Sequence, residues 1–410
     1  MKRRNDGILI VSGGILQIAA LEKAKELGLT THLMDGSPHC MARDYTDHFY
    51  LVDTKDIAGA KRLARDLQKQ GKISAVYTQG ADVEYTVACA ARAAGLPGIS
   101  PAAALNCNAK IRMREILHKH NVDKTTFARA SSQQDLHTAV KYVGFPCYIK
   151  PSDNSASRGV TRLAGPDDLK NLAGAFQKAA ASCFHSKEVI VEAEIPGPEF
   201  SVDTVLYRGK LYPAGISDRI FLHKDRYAVQ AGSVTPSNLP ESVQVEIYRL
   251  MEKAAKALGI TNGAFKGDLV VDQGEPKIIE VTARTSGGFD SQYRKPYSFG
   301  IDILKATMDI ARGLQLDPLD LIPRFVKWSK TFSIFPVPGK VKEIRGLREC
   351  LAIPGVRQIF LLVRPGDVVE PYTDSAKRSN HIIISADTPD DLSAVEARVC
   401  SALEIITEEQ

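Results

Sequence analysis

The chain has 410 residues, 44% hydrophobic and 25% charged, with a formal net charge of +5. That length exceeds one ordinary hydrophobic core, so two or three domains are expected in a folded, water-soluble protein. The charge balance is slight and no long run of Lys and Arg is present, which argues against nucleic acid as a partner. The seven cysteines are scattered without a CxxC or a His pair at metal-ligand spacing, and they read as free thiols of a cytoplasmic protein.

Lys2, Arg3 and Arg4 precede an apolar stretch, but Gly13, Gly14 and Gln17 interrupt it and a charged helix follows. A buried strand entering a turn explains this better than a signal peptide. No stretch is long and apolar enough to span a bilayer, so no membrane association is expected.

Residues 7 to about 100 alternate strand and helix. Ile8–Val11 is a strand, Ser12-Gly13-Gly14 a turn, and the helix that follows runs through Ala24 and stops at Gly28. Thr31–Met34 is the next strand, ending on Asp35, and Ser74–Tyr77 repeats the pattern before a helix that runs to Gly95. This texture predicts a parallel α/β domain over residues 1–104. A nicotinamide-dependent oxidoreductase would also begin β-turn-α-β, with Asp35 as a ribose-binding acid. The turn has no GxGxxG, so that reading is weak.

From about 105 the texture changes to α+β. An amphipathic helix around Ala109, Met113, Ile116 and Leu117 precedes strands at Cys147–Ile149, Glu188–Ile195 and Phe200–Tyr207, then a hairpin over 265–282. This is a central region, 105–325, with a small lobe at about 125–195 and a large lobe at 196–325. Residues 326–410 form a third, β-rich unit with turns at Pro338-Gly339, Pro354-Gly355 and Pro365-Gly366, ending in a helix at Asp390–Leu403.

The hairpin is the most informative segment. With its turn at Gln273-Gly274-Glu275 and its centre on Gly274, Asp268 falls opposite Glu280. The period of two then sends Leu269, Val271, Ile279 and Val281 to a core face, and Lys266, Asp268, Glu280, Thr282 and Arg284 to the other. Two carboxylates directly opposite repel, and Arg284 alone is too little compensation. A hard divalent cation with oxygen ligands fits the position. The alternative is a solvent-facing strand pair with ordinary surface acids.

Lys150 ends an apolar strand and opens a loop of small polar residues, Ser152 to Gly159, whose backbone N–H groups could turn onto phosphate oxygens. The loop lacks Walker spacing, and a plain surface turn reads equally well. Lys110, in the first turn of its helix, is a second cationic candidate. Glu192 to Glu199 is a strand running into a bend, where an acidic turn is the plainer reading.

In this order the segments resemble the ATP-grasp superfamily, closest in pattern to its carboxylate–amine ligases, with biotin carboxylase and the carbamoyl-phosphate synthase large chain more distant. The resemblance covers most of the chain. It implies that Lys110 and Lys150 bind ATP, that Ser152, Ser157, Arg158 and Gly159 belong to a mobile lid, and that Glu192, the backbone from Ala193 to Ile195, and Glu199 meet adenine and ribose. It further implies that Asp268 and Glu280 hold Mg²⁺ (or Mn²⁺), and that Arg284 faces the transferred phosphate as a catalytic residue together with Lys150. The implied reaction activates a small-molecule carboxylate as an acyl phosphate, with ADP released, for attack by an amine. Thr282 stands where the family often has Asn, and the lid holds a single glycine, Gly159, departures that bear on metal stoichiometry and rate more than on fold; Thr282 leaves open a non-catalytic, regulatory ATP-binding protein of the same fold.

Substrate contacts are expected from Ser286, Gly287 and Gly288, whose glycines let backbone N–H groups approach a carboxylate, and from Arg219, His223 and Arg226. A structural turn or a solvated face is the plainer reading of each. A homodimer is the commonest symmetric assembly for such a chain.

Overall fold

The computed structural model describes residues 6–154, 157–184, 186–222 and 229–408. His223 and Arg226 lie outside the described residues.

The first domain is a four-stranded parallel sheet of β1 (Gly7–Val11), β2 (Thr30–Asp35), β3 (His48–Leu51) and β4 (Ala75–Tyr77), in the order β3-β2-β1-β4. Helices α1 (Leu16–Glu26), α2 (Ile57–Lys69) and α3 (Glu84–Ala93) connect or follow these strands. β1 and β4 are buried on both faces, as their unbroken apolar runs require. β3 is absent from the sequence reading. Its residues His48-Phe49-Tyr50-Leu51 are an edge strand with both ends exposed, so no alternation marks it.

Helix α4 (Pro101–Asn108) starts on a Ser100 cap with Pro101 in its first turn, and leads into α5 (Lys110–Lys119). The small lobe is an antiparallel sheet in the order β5-β8-β6-β7, made of β5 (Phe127–Ala130), β6 (Cys147–Pro151), β7 (Thr161–Leu163) and β8 (Val189–Ala193). Helices α6 (Gln133–Val143) and α7 (Leu172–Ala181) pack on one side of it, burying Leu136, Val140, Leu172 and Ala179 against Cys147, Ile149 and Val191.

The large lobe begins with β9 (Glu199–Tyr207), β10 (Lys210–Leu222) and β11 (Val229–Thr235). Helix α8 (Glu241–Leu258) follows, then the hairpin of β12 (Gly263–Asp272) and β13 (Glu275–Thr282). Phe265, Leu269 and Val281 pack on Ile247, Met251 and Leu258 of α8. After the short α9 (Lys295–Phe299) and α10 (Ile303–Ala311), strand β14 (Trp328–Phe332) pairs with β11, so the sheet continues across residue 326. The third unit adds β15 (Gly339–Arg345), α11 (Leu347–Leu351), β16 (Val356–Leu361), β17 (Val368–Val369), β18 (Asn380–Ala386), α12 (Pro389–Ala402) and β19 (Glu404–Glu408). β18 and β16 extend the central sheet to eight strands, ordered β13-β12-β9-β10-β11-β14-β18-β16. The chain therefore does not end in a helix. After α12, the alternating Glu404-Ile405-Ile406-Thr407-Glu408 returns as a strand beside β15. Among the described residues, no helix is long and apolar enough to cross a membrane.

The hairpin pairs Asp268 with Glu280, as expected, although two details differ and cancel. The turn has two residues: Gln273 and Gly274 both adopt positive φ, and Asp272 pairs with Glu275. The register then shifts at Asp268/Leu269, so that Ile279 bulges and Ile278 opposes Leu269. Ile278, not Ile279, is the core residue, fully buried, while Ile279 turns to the cleft described next.

Candidate active site

A cleft of about 400 Å³ lies among the first domain, both lobes and the third unit. β6 and β8 bring Lys150 and Glu192 to one wall, and the hairpin brings Asp268 and Glu280 to another. Lys110, Ser157, Arg158, Ala193, Ile195, Glu199, Arg219, Arg284, Ser286, Gly287 and Gly288 also line it. Two expected nucleotide contacts stand behind the wall. Ser152 is buried, with its carbonyl accepting from the Lys110 N–H at 2.8 Å. Gly159, at φ +74°, packs so closely on α7 that a Cβ there would lie 2.6 Å from the Ser182 side chain. Both residues shape the loop from within.

The acids of the hairpin end are already matched by cations. The Lys110 ammonium lies 2.9 Å from Glu280 and donates to the Asn154 carbonyl at 2.7 Å. Lys266 bonds Asp268, and Arg219 lies 3.3 Å from Asp268 and 3.0 Å from Glu199. Arg284 takes no part; it pairs with Asp82 of the first domain, with its Nε 3.0 Å from the carboxylate. Repulsion between Asp268 and Glu280 is thus relieved without a metal, and the compensation argument from sequence does not hold as framed. Burial alone would raise the Glu280 pKa, but Lys110 and Lys266 outweigh it and hold the carboxyl well below its usual range.

A different observation fits a divalent cation. Asp268 is 5% exposed, and its Oδ1 is buried with no hydrogen-bond partner among the described residues. A buried acceptor oxygen without a donor is costly. The described residues hold no group of three His, Cys, Asp or Glu arranged for a metal. One or two carboxylates, completed by phosphate oxygens, is the ligand set Mg²⁺ takes at nucleotide sites. Thr282 is buried, its hydroxyl also without a hydrogen-bond partner among the described residues, and it lines a separate pocket of about 20 Å³ beside Glu280 rather than the cleft.

Glu192 is an internal counter-ion. It bonds Arg114 of α5, fully buried, and Lys150 at 2.5 Å. Burial pushes its pKa up, but the two cations win and hold it at about 2. Arg114 also reaches Asp123 at 3.0 Å and the Ile279 carbonyl at 3.1 Å, tying the small lobe to the bulge of the hairpin. The sequence reading missed Arg114, although its place among the buried Ile111, Met113 and Leu117 of α5 was a signal. The Ala193 and Glu194 N–H groups donate to Thr126 and Pro146 carbonyls, and the Pro198 carbonyl accepts from the Val271 N–H, so this strand exit is fixed from both sides.

At the opposite end, Ser286-Gly287-Gly288 does line the cleft. The Ser286 N–H, however, is committed to Asp203 at 3.2 Å and to the Ser291 hydroxyl at 2.8 Å. The rest of this wall was not foreseen. Phe289, at φ +63°, stacks on Phe360 with ring centroids 4.4 Å apart and meets His381 edge-on. Arg294 is buried, paired with Asp290 at 2.8 Å, while its Nε and Nη1 have no partner among the described residues. Arg378 donates to the Ser375 and Gln230 carbonyls at 2.8 and 3.2 Å. Burial, with Arg219 adding to it, lowers the Arg378 pKa to about 10. Burial, and then Arg378, hold the His381 pKa well below its usual value, and its Nδ1 has no hydrogen-bond partner among the described residues.

Residues 143–292 match the ATP-grasp domain family, and residues 331–408 match the L-amino acid ligase C-terminal domain 2. The chain is 24% identical over 384 residues to the L-arginine-specific L-amino acid ligase of Bacillus subtilis, covering 90% of each. It is 25% identical over 336 residues to carnosine synthase 1 of Gallus gallus; the match takes in 75% of this chain but spans only 35% of the length of that relative. The crystal structure of the L-amino acid ligase from Bacillus licheniformis superposes with a TM-score of 0.84 at 22% identity, over 100% of both chains. Phosphoribosylglycinamide synthetase from Anaerococcus prevotii superposes with a TM-score of 0.77 at 20% identity, over 98% of this chain and 100% of that one.

Proposed function

We propose, on the premise that this chain is built around an ATP-grasp domain, that it is an ATP-dependent, ADP-forming ligase joining the carboxylate of one small molecule to the amine of another. The observation that carries this reading is the Asp268–Glu280 pair, with the bare Oδ1 of Asp268 amid Lys110, Lys266 and Arg219. Asp268 and Glu280 would hold Mg²⁺, which supplies screening of phosphate charge as a carboxylate approaches. Lys110 and Lys150 would meet phosphate oxygens, each as a point charge already fixed by an acid behind it. The loop containing Ser157 and Arg158 would exclude water. The strand exit from Glu192 to Glu199 would border the base and ribose.

The reaction needs charge neutralisation and in-line positioning, not a protein nucleophile. A carboxylate oxygen forms a bond to the γ-phosphorus as the bond to ADP breaks. The amine nitrogen then bonds the acyl carbon, phosphate leaves, and the nitrogen loses a proton. Arg284, oriented by Asp82, would face the phosphate carried by the carboxylate. The unspent donors of Arg294 and Arg378 would take a substrate's anionic group.

The test is ADP release from Mg·ATP across pairs of amino acids, the substrate class in the name of the Bacillus subtilis relative. Release that needs one carboxylate and rises with one amine is expected. Tight ATP binding with no release from any pair would overturn the ligase in favour of a regulatory ATP-binding protein.

A further inference from the structure

Behind the strand segment Ala283–Thr285, on the side away from the cleft, lies a second cavity of about 450 Å³. It is bounded by the first domain, by the end of α10 and by the start of β12, and it is within the size range of small-molecule sites. Val76, Val87, Ile99, Ala264, Ile310 and Leu314 supply apolar wall. Nothing in the proposed reaction uses this space.

Its buried polar groups are nearly all spent. Thr78 donates to the Val11 carbonyl at 2.9 Å, Thr285 donates to Gln79 at 2.6 Å, and Thr307 bonds the Tyr77 hydroxyl at 3.0 Å. Arg284 is taken by Asp82 and the Thr285 carbonyl. Glu84 is the exception. It opens α3, is 2% exposed, and neither carboxylate oxygen has a hydrogen-bond partner of good geometry among the described residues; the Asn108 side chain and the Glu84 N–H lie near enough only to favour its charged form. A buried carboxyl with two open acceptor sites is a costly arrangement unless something donates to it.

We propose that this cavity is a second ligand site, for a small amphipathic amine whose ammonium donates to Glu84 and whose apolar body fills the space between α10 and the first domain. The ligand needs one cationic head because, among the described residues, Glu84 is the one buried polar side chain of this wall whose oxygens lack a well-formed hydrogen bond. It needs an otherwise apolar body because every other buried polar group there already has its partner. The site is distinct from the catalytic cleft but shares Arg284 with it as a common wall. Burial, and then Asp82, push the Glu84 pKa up to about 7, so an arriving ammonium would find a group ready to ionise against it.

The experiment is a calorimetric titration of the full chain with 2-phenylethylamine and with its neutral analogue 2-phenylethanol. Saturable one-to-one binding of the amine is expected, with the alcohol at least tenfold weaker. Glu84→Gln should weaken the amine at least tenfold. Ala311→Phe and Ala264→Leu, which fill the cavity from two different walls, should each abolish binding. No saturable binding, equal affinity for amine and alcohol, or undiminished binding to the filled variants would overturn the site. The amine–alcohol comparison is made on the unmodified protein, so it stands even where a filled variant fails to fold.

Discussion

The two ends of the cleft handle charge in opposite ways. At the hairpin end, Glu192 has Arg114 and Lys150, Glu280 has Lys110, and Asp268 has Lys266 and Arg219. At the third-unit end, Arg378 donates to two carbonyl oxygens, Arg294 is paired with Asp290 yet keeps two nitrogens without a partner, and His381 keeps one, among the described residues. Pairing fixes side chains in place before a ligand arrives, which suits a site that must hold a phosphate chain in line. Unspent donors instead leave binding energy to be collected when a ligand brings its own acceptors. Rigidity is thus concentrated at the hairpin end of the cleft and unspent donor capacity at the other.

The largest effect is expected at Asp268, whose buried Oδ1 has no hydrogen-bond partner among the described residues. Asp268→Asn keeps the shape but removes the charge, and should lower ADP release by about 10³-fold or more, roughly 4 kcal/mol of transition-state stabilisation. A coupled assay of ADP release at saturating Mg·ATP measures it. Retention of a tenth of the rate would remove the metal assignment.

A second effect falls on stability rather than rate. Arg114→Ala leaves Glu192 and Asp123 buried with fewer partners, and removing one member of a buried ionic group costs about 3 kcal/mol. Urea unfolding of the variant against the parent should show that loss. The opposite is expected of Arg378→Met. With no carboxylate partner, that guanidinium contributes little to folding, so unfolding should be unchanged within about 0.5 kcal/mol. The KM for one substrate should rise about 10- to 100-fold with the KM for ATP unmoved, since one charged hydrogen-bonding group is lost. If ATP affinity falls instead, the third-unit end is not a substrate end.

The same two regions differ in how far they could be read from sequence. The hairpin is local: period-two alternation and a Gly turn place Asp268 against Glu280, and even a turn judged one residue too long was cancelled by the bulge at Ile279. Bulges leave no mark in alternation, which is why Ile279 was misassigned to the core. Lys150 was legible because a lysine ending an apolar strand has few structural excuses. The third-unit wall was not, because it is assembled by sheet continuity. β14 pairs with β11 and β18 with β14, carrying Ser375, Arg378 and His381 to Gln230, about 150 residues back along the chain. Nothing in the spacing of Arg378 and His381 announces that neighbour. The pairing of Arg284 with Asp82 was hidden likewise, since it joins two domains across 202 positions.

The smallest effect probes the wall that the cleft shares with the cavity behind it. Glu84 lacks the paired cations of the hairpin end, and burial followed by Asp82 pushes its pKa up to about 7, with Arg284 opposing. A carboxyl raised in the folded state binds its proton more tightly than the unfolded chain does. Its contribution to stability is therefore full below the unfolded value of about 4.5, and is lost as pH rises through about 7. Gln cannot ionise, so Glu84→Gln should match the parent near pH 4.5 and exceed it at pH 8 by about 1–2 kcal/mol. Thermal unfolding at the two pH values, without added amine, measures this difference. A constant gap at both values would mean that Glu84 carries its charge unopposed, and that the back of Arg284 is balanced as fully as its front.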